Sequence, residues 1–505
     1  MTTRYELETQ VDALLAEEIG TLHKEAPFRV ALVYPSPYRV GMSSLGFQTI
    51  YRRINGMADV ACERAFLPDD PDAYRAGRAP LFTYESKARV GDADMVAFSI
   101  AYETEVIGLL DCFELAGMPP RAADRGDGWP LVLFGGPLTF SNPLPVAPFC
   151  DVMVMGEGEE LVEIIVERWR QAAERGAFLE DVARLPGVYV PSIHGERLIG
   201  VAQVDDRELP AYSAILTPNT ELSSMHLVEN ARGCHRGCTF CVMRRTTNGG
   251  MRVASPESVL ATIPDDARRV GLVGAATSDH PQILDIIRPI VDSGREVGLS
   301  SLRADRLSPE FVELLARGGV RTLTVASDGS SARMRKIAKK GIKDEHLRKC
   351  AEFVRDFGLK QLKLYMVIGY PEETMADIDE MIDFVGELST ICNVALGMSP
   401  LVAKKNTPLD GVPFEDSKSL EAKIKAVHRG LGHEVDIRST SVRWSWIEYQ
   451  LAQGGWDMAD AAEEAWRGGG TFGAWKRAVQ AHQRSRAPLQ RPPDERIRRG
   501  ALLSG

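Results

Sequence analysis

The chain has 505 residues, 44% of them hydrophobic and 26% charged, and carries a net charge of −10 at pH 7. That length holds two or three domains with proper cores. The acidic balance argues against a general nucleic-acid binder, while leaving room for a local basic patch. No stretch approaches a membrane span, the first residues lack an apolar leader, and the cysteine usage suits a reducing compartment, so a cytoplasmic protein is expected.

Residues 6–23 alternate acids with Leu and Ile at helical spacing. Short apolar runs at 29–34, 60–66, 95–100, 131–134 and 152–155 then alternate with helical patterns at 43–54, 105–116 and 159–173. Buried strands between helices predict an α/β, doubly wound, Rossmann-like parallel sheet over 1–176. Ligands of such sheets lie at the carboxyl ends of the strands. There the first strand is followed by a loop with Tyr38, Arg39 and Gly41, the fourth by Gly135-Gly136-Pro137, and the fifth by Gly156-Glu157-Gly158-Glu159. Glycines here allow close backbone approach to a ligand, and plain strand-to-helix turns use them too. Cys62, Cys112 and Cys150 are either ligands of a second cluster or buried thiols. The burial habit of cysteine favours thiols.

Residues 177–222, with Leu185-Pro186-Gly187 and β patterns at 188–190 and 198–204, read as a hairpin appendage and linker. Six strand-like runs follow within 223–410, at 226–229, 270–273, 297–302, 322–326, 363–368 and 394–398, alternating with helical patterns. Six βα units predict a partial (β/α)6 barrel whose chemistry gathers at the carboxyl ends of its strands. The first of those ends carries Cys234-His235-Arg236-Gly237-Cys238-Thr239-Phe240-Cys241. Three thiolates this close can each take one iron of a 4Fe-4S cluster, leaving the fourth iron open. A zinc site would need a fourth ligand, normally from a second spaced pair. No later Cys-x-x-Cys or His-x-x-x-His exists.

Helical spacing returns at 418–431, 442–453, 458–466 and 472–483, a segment with Trp444, Trp446, Trp456, Trp466 and Trp475. It predicts a small helical domain over 411–483, packed across the barrel mouth or side. The Arg- and Pro-rich tail, 484–505, is expected to be disordered.

The cysteine stretch resembles the C-x-x-x-C-x-aromatic-C signature of the radical S-adenosylmethionine (radical SAM) superfamily, with Phe240 in the aromatic place. The glycine turns at 135–137 and 156–159 resemble the cobalamin-binding domain that precedes the barrel in one large branch of that superfamily. The resemblance implies S-adenosylmethionine on the open iron, an adenosyl radical or related one-electron step, and an external reductant of flavodoxin or ferredoxin type. Gly274 and Ala275 stand in the place of a Gly-Gly-Glu motif whose carbonyls hold the methionine amino group, without its glutamate. Ser301 and Arg303 end the third strand, where Arg303 would pair with the methionine carboxylate. Ser327 and Ser330 would contact the ribose, and backbone at Val367 and Ile368 would read the adenine edge. His280 and Tyr370 are the titratable groups expected on the substrate side, whereas Asp279 reads better as a helix cap. A D-x-H-x-x-G motif is absent after the first strand, so any cobalamin would be base-off, without a histidine ligand. Methyl transfer to an unactivated carbon is then the favoured reaction. The alternatives are cobalamin-independent rearrangement, coupling or sulfur insertion, and a non-catalytic iron–sulfur or cobalamin-binding regulator.

Overall fold

The computed structural model describes residues 3–243, 250–300, 302–432 and 434–485. Ser301, and the expected disordered tail from residue 486 onward, lie outside the described residues. Among the described residues no helix is long and apolar enough to cross a membrane.

Six strands form the first sheet: β1 Phe28–Tyr34, β2 Val60–Phe66, β3 Met95–Ser99, β4 Leu131–Gly135, β5 Val152–Val154 and β6 Val188–Tyr189. Their order is β2-β1-β3-β4-β5-β6, all parallel except β6. Successive residues of β1 and β2 are buried regardless of parity, so both faces of the sheet are covered. Helices Leu45–Gly56, Val106–Ala116 and Glu159–Gln171 contribute to that cover. Strand order reverses between β1 and β3, and the crevice beyond their carboxyl ends is where this topology places ligands. Cys62, Cys112 and Cys150 are fully buried free thiols, each pushed up by burial.

The expected hairpin in 177–222 does not form. β6 pairs antiparallel with β5, completing the first sheet, while residues 198–204 run without strand structure over the end of β5. Ala202 makes a bridge to Gly156 there. A hairpin needs two segments that pair with each other, and β5 offers its free edge first.

The second sheet system comprises β7 Met225–Glu229, β10 Arg269–Val273, β11 Glu296–Leu299, β12 Thr322–Ala326, β13 Gln361–Ile368, β14 Val394–Pro400 and β15 Asp436–Ser439, with a ribbon of β8 Ala231–Gly233 and β9 Met251–Val253 beside it. β11-β10-β7 and β12-β13-β14-β15 are parallel sheets joined by a bridge from Leu302 to Val325. On β13, Leu362, Leu364, Met366 and Ile368 are buried in the core shared with the surrounding helices. Lys363, Tyr365 and Val367 therefore face the lumen. Among the described residues the partial barrel has the six expected strands and a seventh, β15, because the segment read as purely helical contains that strand and packs helix Ser417–Leu431 onto the barrel.

The last three described helices, Val442–Gln453, Asp457–Arg467 and Phe472–Ser485, pack chiefly on the N-terminal domain. The first of them also meets the barrel: Val442 joins the barrel core and Gln453 donates to the Ala403 carbonyl at 2.7 Å. Ile447, Leu451, Met458, Ala462, Ala465, Trp475 and Val479 share the core of the N-terminal sheet. Asn142 donates to the Leu451 and Gly454 carbonyls at 2.9 and 2.8 Å, and the Trp466 indole donates to Asp111 at 2.9 Å.

Candidate active site

The ribbon of β8 and β9 leaves the barrel at Asn230 and hands the chain to Cys234. The cysteine loop is braced from outside. Thr239 N–H donates to the Ala338 carbonyl at 3.0 Å, and Phe240 packs on Met334, Ala338, Tyr370 and Leu401. Backbone N–H groups of Arg236 and Met243 donate to the sulfurs of Cys234 and Cys241 at 3.4 and 3.5 Å. All three cysteines are half-buried. Burial pushes the Cys238 thiol up, with Lys340 and Arg303 pulling partly against it, and pushes Cys241 up to about 11. Among the described residues no three His, Cys, Asp or Glu side chains converge on one point to hold a single metal ion. A cluster asks for something different, since each thiolate takes its own iron. Amide donors at two sulfurs and two cations beside the third suit that anionic group.

Asp279 is the residue that the sequence left under-read. It does not cap the next helix, which starts at Ile283 behind Gln282. Its side chain is fully buried and accepts both hydrogen bonds of the Arg236 guanidinium, at 2.8 and 2.8 Å. Arg306 donates to it at 3.0 Å, and Arg303 lies 4.0 Å away. Burial would raise this carboxyl, but the arginines win and hold it below the usual carboxylate range. The second barrel strand thus holds the cysteine loop through Arg236.

Arg303 sits at the third strand end with its guanidinium on Asp305 at 3.0 Å and on the Lys340 carbonyl at 2.9 Å. Gly274 lies against Ala231, where a Cβ would come within 2.8 Å of the carbonyl, and Ala275 beside it is exposed. The hydroxyls expected for the ribose are engaged internally: Ser327 donates to the Gly329 carbonyl at 3.1 Å, and Ser330 to Glu373 at 2.5 Å. Val367 faces the lumen, while the Ile368 carbonyl accepts from Leu401 N–H at 2.7 Å.

Two expectations fail on geometry. His280 is buried with both ring nitrogens on backbone, Nε2 on the Ala254 carbonyl at 2.9 Å and Nδ1 accepting from Gln282 N–H at 3.1 Å. No nitrogen is left to move a substrate proton. Tyr370 is also buried, its hydroxyl donating to the Asp328 carbonyl at 2.8 Å, and burial raises its pKa far above the ordinary phenol. It is a wall behind Phe240.

On the N-terminal sheet most expected contacts are likewise occupied by the protein itself. Tyr38 is buried, donating to Glu18 at 2.6 Å and bonded to Thr217 at 3.0 Å. Arg39 points to solvent with Asp69. A Cβ at Gly41 would strike the Phe66 ring at 2.6 Å, and one at Gly158 would touch Val154 at 3.3 Å. Gly136 and Gly156 have φ of +101° and +97°, and their faces lie against Ile100 and Ala202. Gly135 alone of the turn glycines has open space before it, next to the crevice where Tyr102 is 47% exposed.

The glutamates between those glycines matter more. Glu157 accepts from Val204 N–H at 2.9 Å and pairs with Arg252 on β9, while Arg232 on β8 pairs with Glu159 at 2.8 Å and Glu229 at 2.7 Å. The Gly-Glu-Gly-Glu loop therefore grips the ribbon that carries Cys234. A second seam lies at the mouth, where Lys404 donates to Glu103 at 2.8 Å and Glu448 at 2.6 Å.

A doubly wound domain set before a partial barrel with a three-cysteine loop after its first strand defines a radical SAM architecture. Two family models agree: "Radical SAM proteins, N-terminal" over residues 46–191 and "Radical SAM superfamily" over 229–385. The chain is a radical SAM enzyme with an N-terminal domain of cobalamin-binding-like fold. It is 25% identical to an uncharacterized protein of Methanocaldococcus jannaschii over 80% of this chain and 84% of that one. To an uncharacterized methyltransferase of Pyrococcus horikoshii it is 24% identical, over 51% of this chain and 58% of that one. Among solved structures, the radical S-adenosylmethionine methyltransferase TsrM of Kitasatospora setae, with cobalamin and cluster bound, superposes with a TM-score of 0.54 at 14% identity, covering 91% of this chain and 99% of that one. At that identity the likeness is one of fold.

Proposed function

We propose that this enzyme holds a 4Fe-4S cluster on Cys234, Cys238 and Cys241, binds S-adenosylmethionine at the open iron, and transfers a methyl group with the help of cobalamin. The observation that carries the reading is the cysteine loop itself, with amide donors on two sulfurs, Lys340 and Arg303 beside the third, and the lumen of the barrel in front. When bound, the cluster and S-adenosylmethionine supply one-electron chemistry and the cobalamin carries a methyl group. The protein's own work is placement. Asp279 fixes Arg236 and hence the loop. Arg303, held by Asp305 and the Lys340 carbonyl, stands at the strand end from which a guanidinium would meet the methionine carboxylate. The Gly274 carbonyl, which accepts from Ser300 at 2.9 Å, marks the place where the amino group would be taken. The crevice beyond the carboxyl ends of β1 and β3, with Tyr102 after β3 and Gly135 one strand over at the end of β4, is where a corrin would rest, and the loops 35–44, 100–105 and 136–141 contain no histidine. The substrate takes the lumen face with Lys363 and Tyr365, a ring 41% exposed inside a barrel.

The packing of Gly41, Gly136 and Gly156 against protein favours a second reading, a cobalamin-independent radical reaction on the same barrel. One experiment separates the two. After anaerobic reconstitution with iron, sulfide and hydroxocobalamin followed by desalting, the wild type should retain about four irons, one cluster per chain, and one cobalamin with a base-off spectrum. The Cys234→Ala/Cys238→Ala/Cys241→Ala variant should lose the iron and keep the cobalamin. Iron retained by that variant refutes the cluster assignment. Cobalamin that washes out refutes the methyl-transfer reading and leaves the second.

A further inference from the structure

The parallel register of β12, β13 and β14 sets Thr324, Lys363 and Ala395 side by side, and two residues further along Ala326, Tyr365 and Gly397. The row between them, Val325, Leu364 and Leu396, belongs to the core under the helices, so the other two rows face inward. Alanine and glycine on either side leave the Tyr365 ring standing clear of its row. It leans over Gly397, where a Cβ would lie 2.8 Å from the ring. The Lys363 ammonium sits 5.0 Å from the centre of that ring. Among the described residues Lys363 has no carboxylate within ion-pair distance, and no hydrogen bond engages the Tyr365 hydroxyl. Asp436, in the same row as Lys363 but on the edge strand, pairs with Arg438 at 3.1 Å instead. Phe240 of the cysteine loop packs on Tyr370 and Leu401, residues just past β13 and β14, so the loop lies beyond the carboxyl end of this surface. Lys363 stands four residues before Val367, the last inward residue of β13, a distance of about 13 Å along a strand.

We propose that the substrate is a small carboxylic acid, with its carboxylate on the Lys363 ammonium and the Tyr365 hydroxyl and its apolar body running along the Tyr365 ring and Val367 towards the cysteine loop. The inference rests on the reading of the barrel lumen as the substrate site made above. A half-buried ammonium without a counter-ion favours a ligand that brings one, and a charge-assisted hydrogen bond to it is among the stronger polar contacts. One unpaired cation suits a single carboxylate, whereas a nucleic-acid strand asks for several. Ala326, Gly397 and Val367 offer no polar side chain beside the ring, which fits an apolar body.

The test uses the full-length reconstituted enzyme, with S-adenosylmethionine present, and 2-naphthoate as the probe, beside neutral 2-naphthamide and 2-naphthyl phosphate. Anaerobic titration calorimetry should show the carboxylate bound about tenfold or more tightly than the amide. Lys363→Met should abolish that preference, and Lys363→Arg, which keeps the charge, should retain it. Tyr365→Phe should weaken naphthoate by about threefold, the share of one neutral hydrogen bond. Melting temperatures near that of the wild type show that the variants are folded. Equal affinity for acid and amide in the wild type overturns the proposal, and so does a preference that survives Lys363→Met. A phosphate ester bound more tightly than the carboxylate overturns it in favour of a phosphorylated substrate. Iron and S-adenosylmethionine per chain, measured on the same wild-type samples, report separately on the reaction: enzyme that holds neither refutes the radical reading, whatever the probes do.

Discussion

Replacing Glu157 with alanine removes one carboxylate from three partners at once: Arg252, Arg232 and the Val204 N–H. The side chains of Glu157 and Arg252 are 4% and 11% exposed, close to the buried case in which losing one partner costs about 3–5 kcal/mol. Arg232 keeps Glu229 and Glu159, and Arg252 keeps Asp206 and the Val204 carbonyl, which brings the expected loss to the lower end, about 3 kcal/mol. A domain of this size moves its midpoint by about 2–4 °C per kcal/mol, so the first thermal transition should drop by about 6–12 °C. Glu157→Gln keeps an acceptor for Val204 and should fall between. Asp206→Ala, which breaks the solvent-facing arm of the same cluster, should cost under about 1 kcal/mol. Calorimetry on the three variants, with iron content measured alongside, decides it. A Glu157→Ala protein no less stable than Asp206→Ala refutes the view that this loop grips the ribbon.

Three further outcomes are expected. Trp475→Ala empties a site that is 1% exposed and should destabilise the N-terminal core by about 3–5 kcal/mol in urea titration. Gly136→Ala, forced to φ +101° with a Cβ 2.6 Å from the Ile100 carbonyl, should lower the melting temperature, whereas Gly135→Ala should leave it unchanged and, if the corrin rests there, reduce cobalamin retention. His226 is buried, and burial lowers its pKa to about 4 from 6.5. A folded pKa depressed in a histidine means that the unfolded chain binds the proton first. Stability is therefore full above pH 6.5 and falls as pH drops towards 4, by about 3 kcal/mol for this residue. His226→Gln should flatten that slope in pH-dependent denaturation.

The first sheet was legible because its strands are mostly apolar runs between turns, the pattern of a sheet covered on both faces, and the barrel strands because buried and lumen-facing residues alternate, as on β13. β15 was not, since Asp436-Ile437-Arg438-Ser439 is polar and mostly exposed, an edge that joins the barrel by its backbone pairing to β14 and the one apolar side chain of Ile437. The C-terminal helices showed which face is apolar, but a face does not say what it packs against. The cysteine loop was readable from spacing. Its support was not, because the arginines that meet at Asp279 stand at positions 236, 303 and 306 and converge only through the fold. In Gly-Glu-Gly-Glu the glycines drew the eye, while the carboxylates carry the contacts. His280 looked functional because a titratable group near a strand end often is, and only the three-dimensional arrangement shows both its nitrogens spent on backbone.

The docking of the last helices into the first domain has a consequence for synthesis. Val30 and Trp475 belong to one core, so the N-terminal sheet is not finished when its own strands have left the ribosome. Nearly the whole barrel is made before the closing helices appear. At about 5–20 residues per second, the roughly 290 residues between Val182 and Trp475 take on the order of 15–60 s. For that interval the nascent first domain shows the apolar ground that Ile447, Leu451 and Trp475 later cover. A chaperone has its longest opportunity there, and a fragment ending at residue 176 would never leave that state.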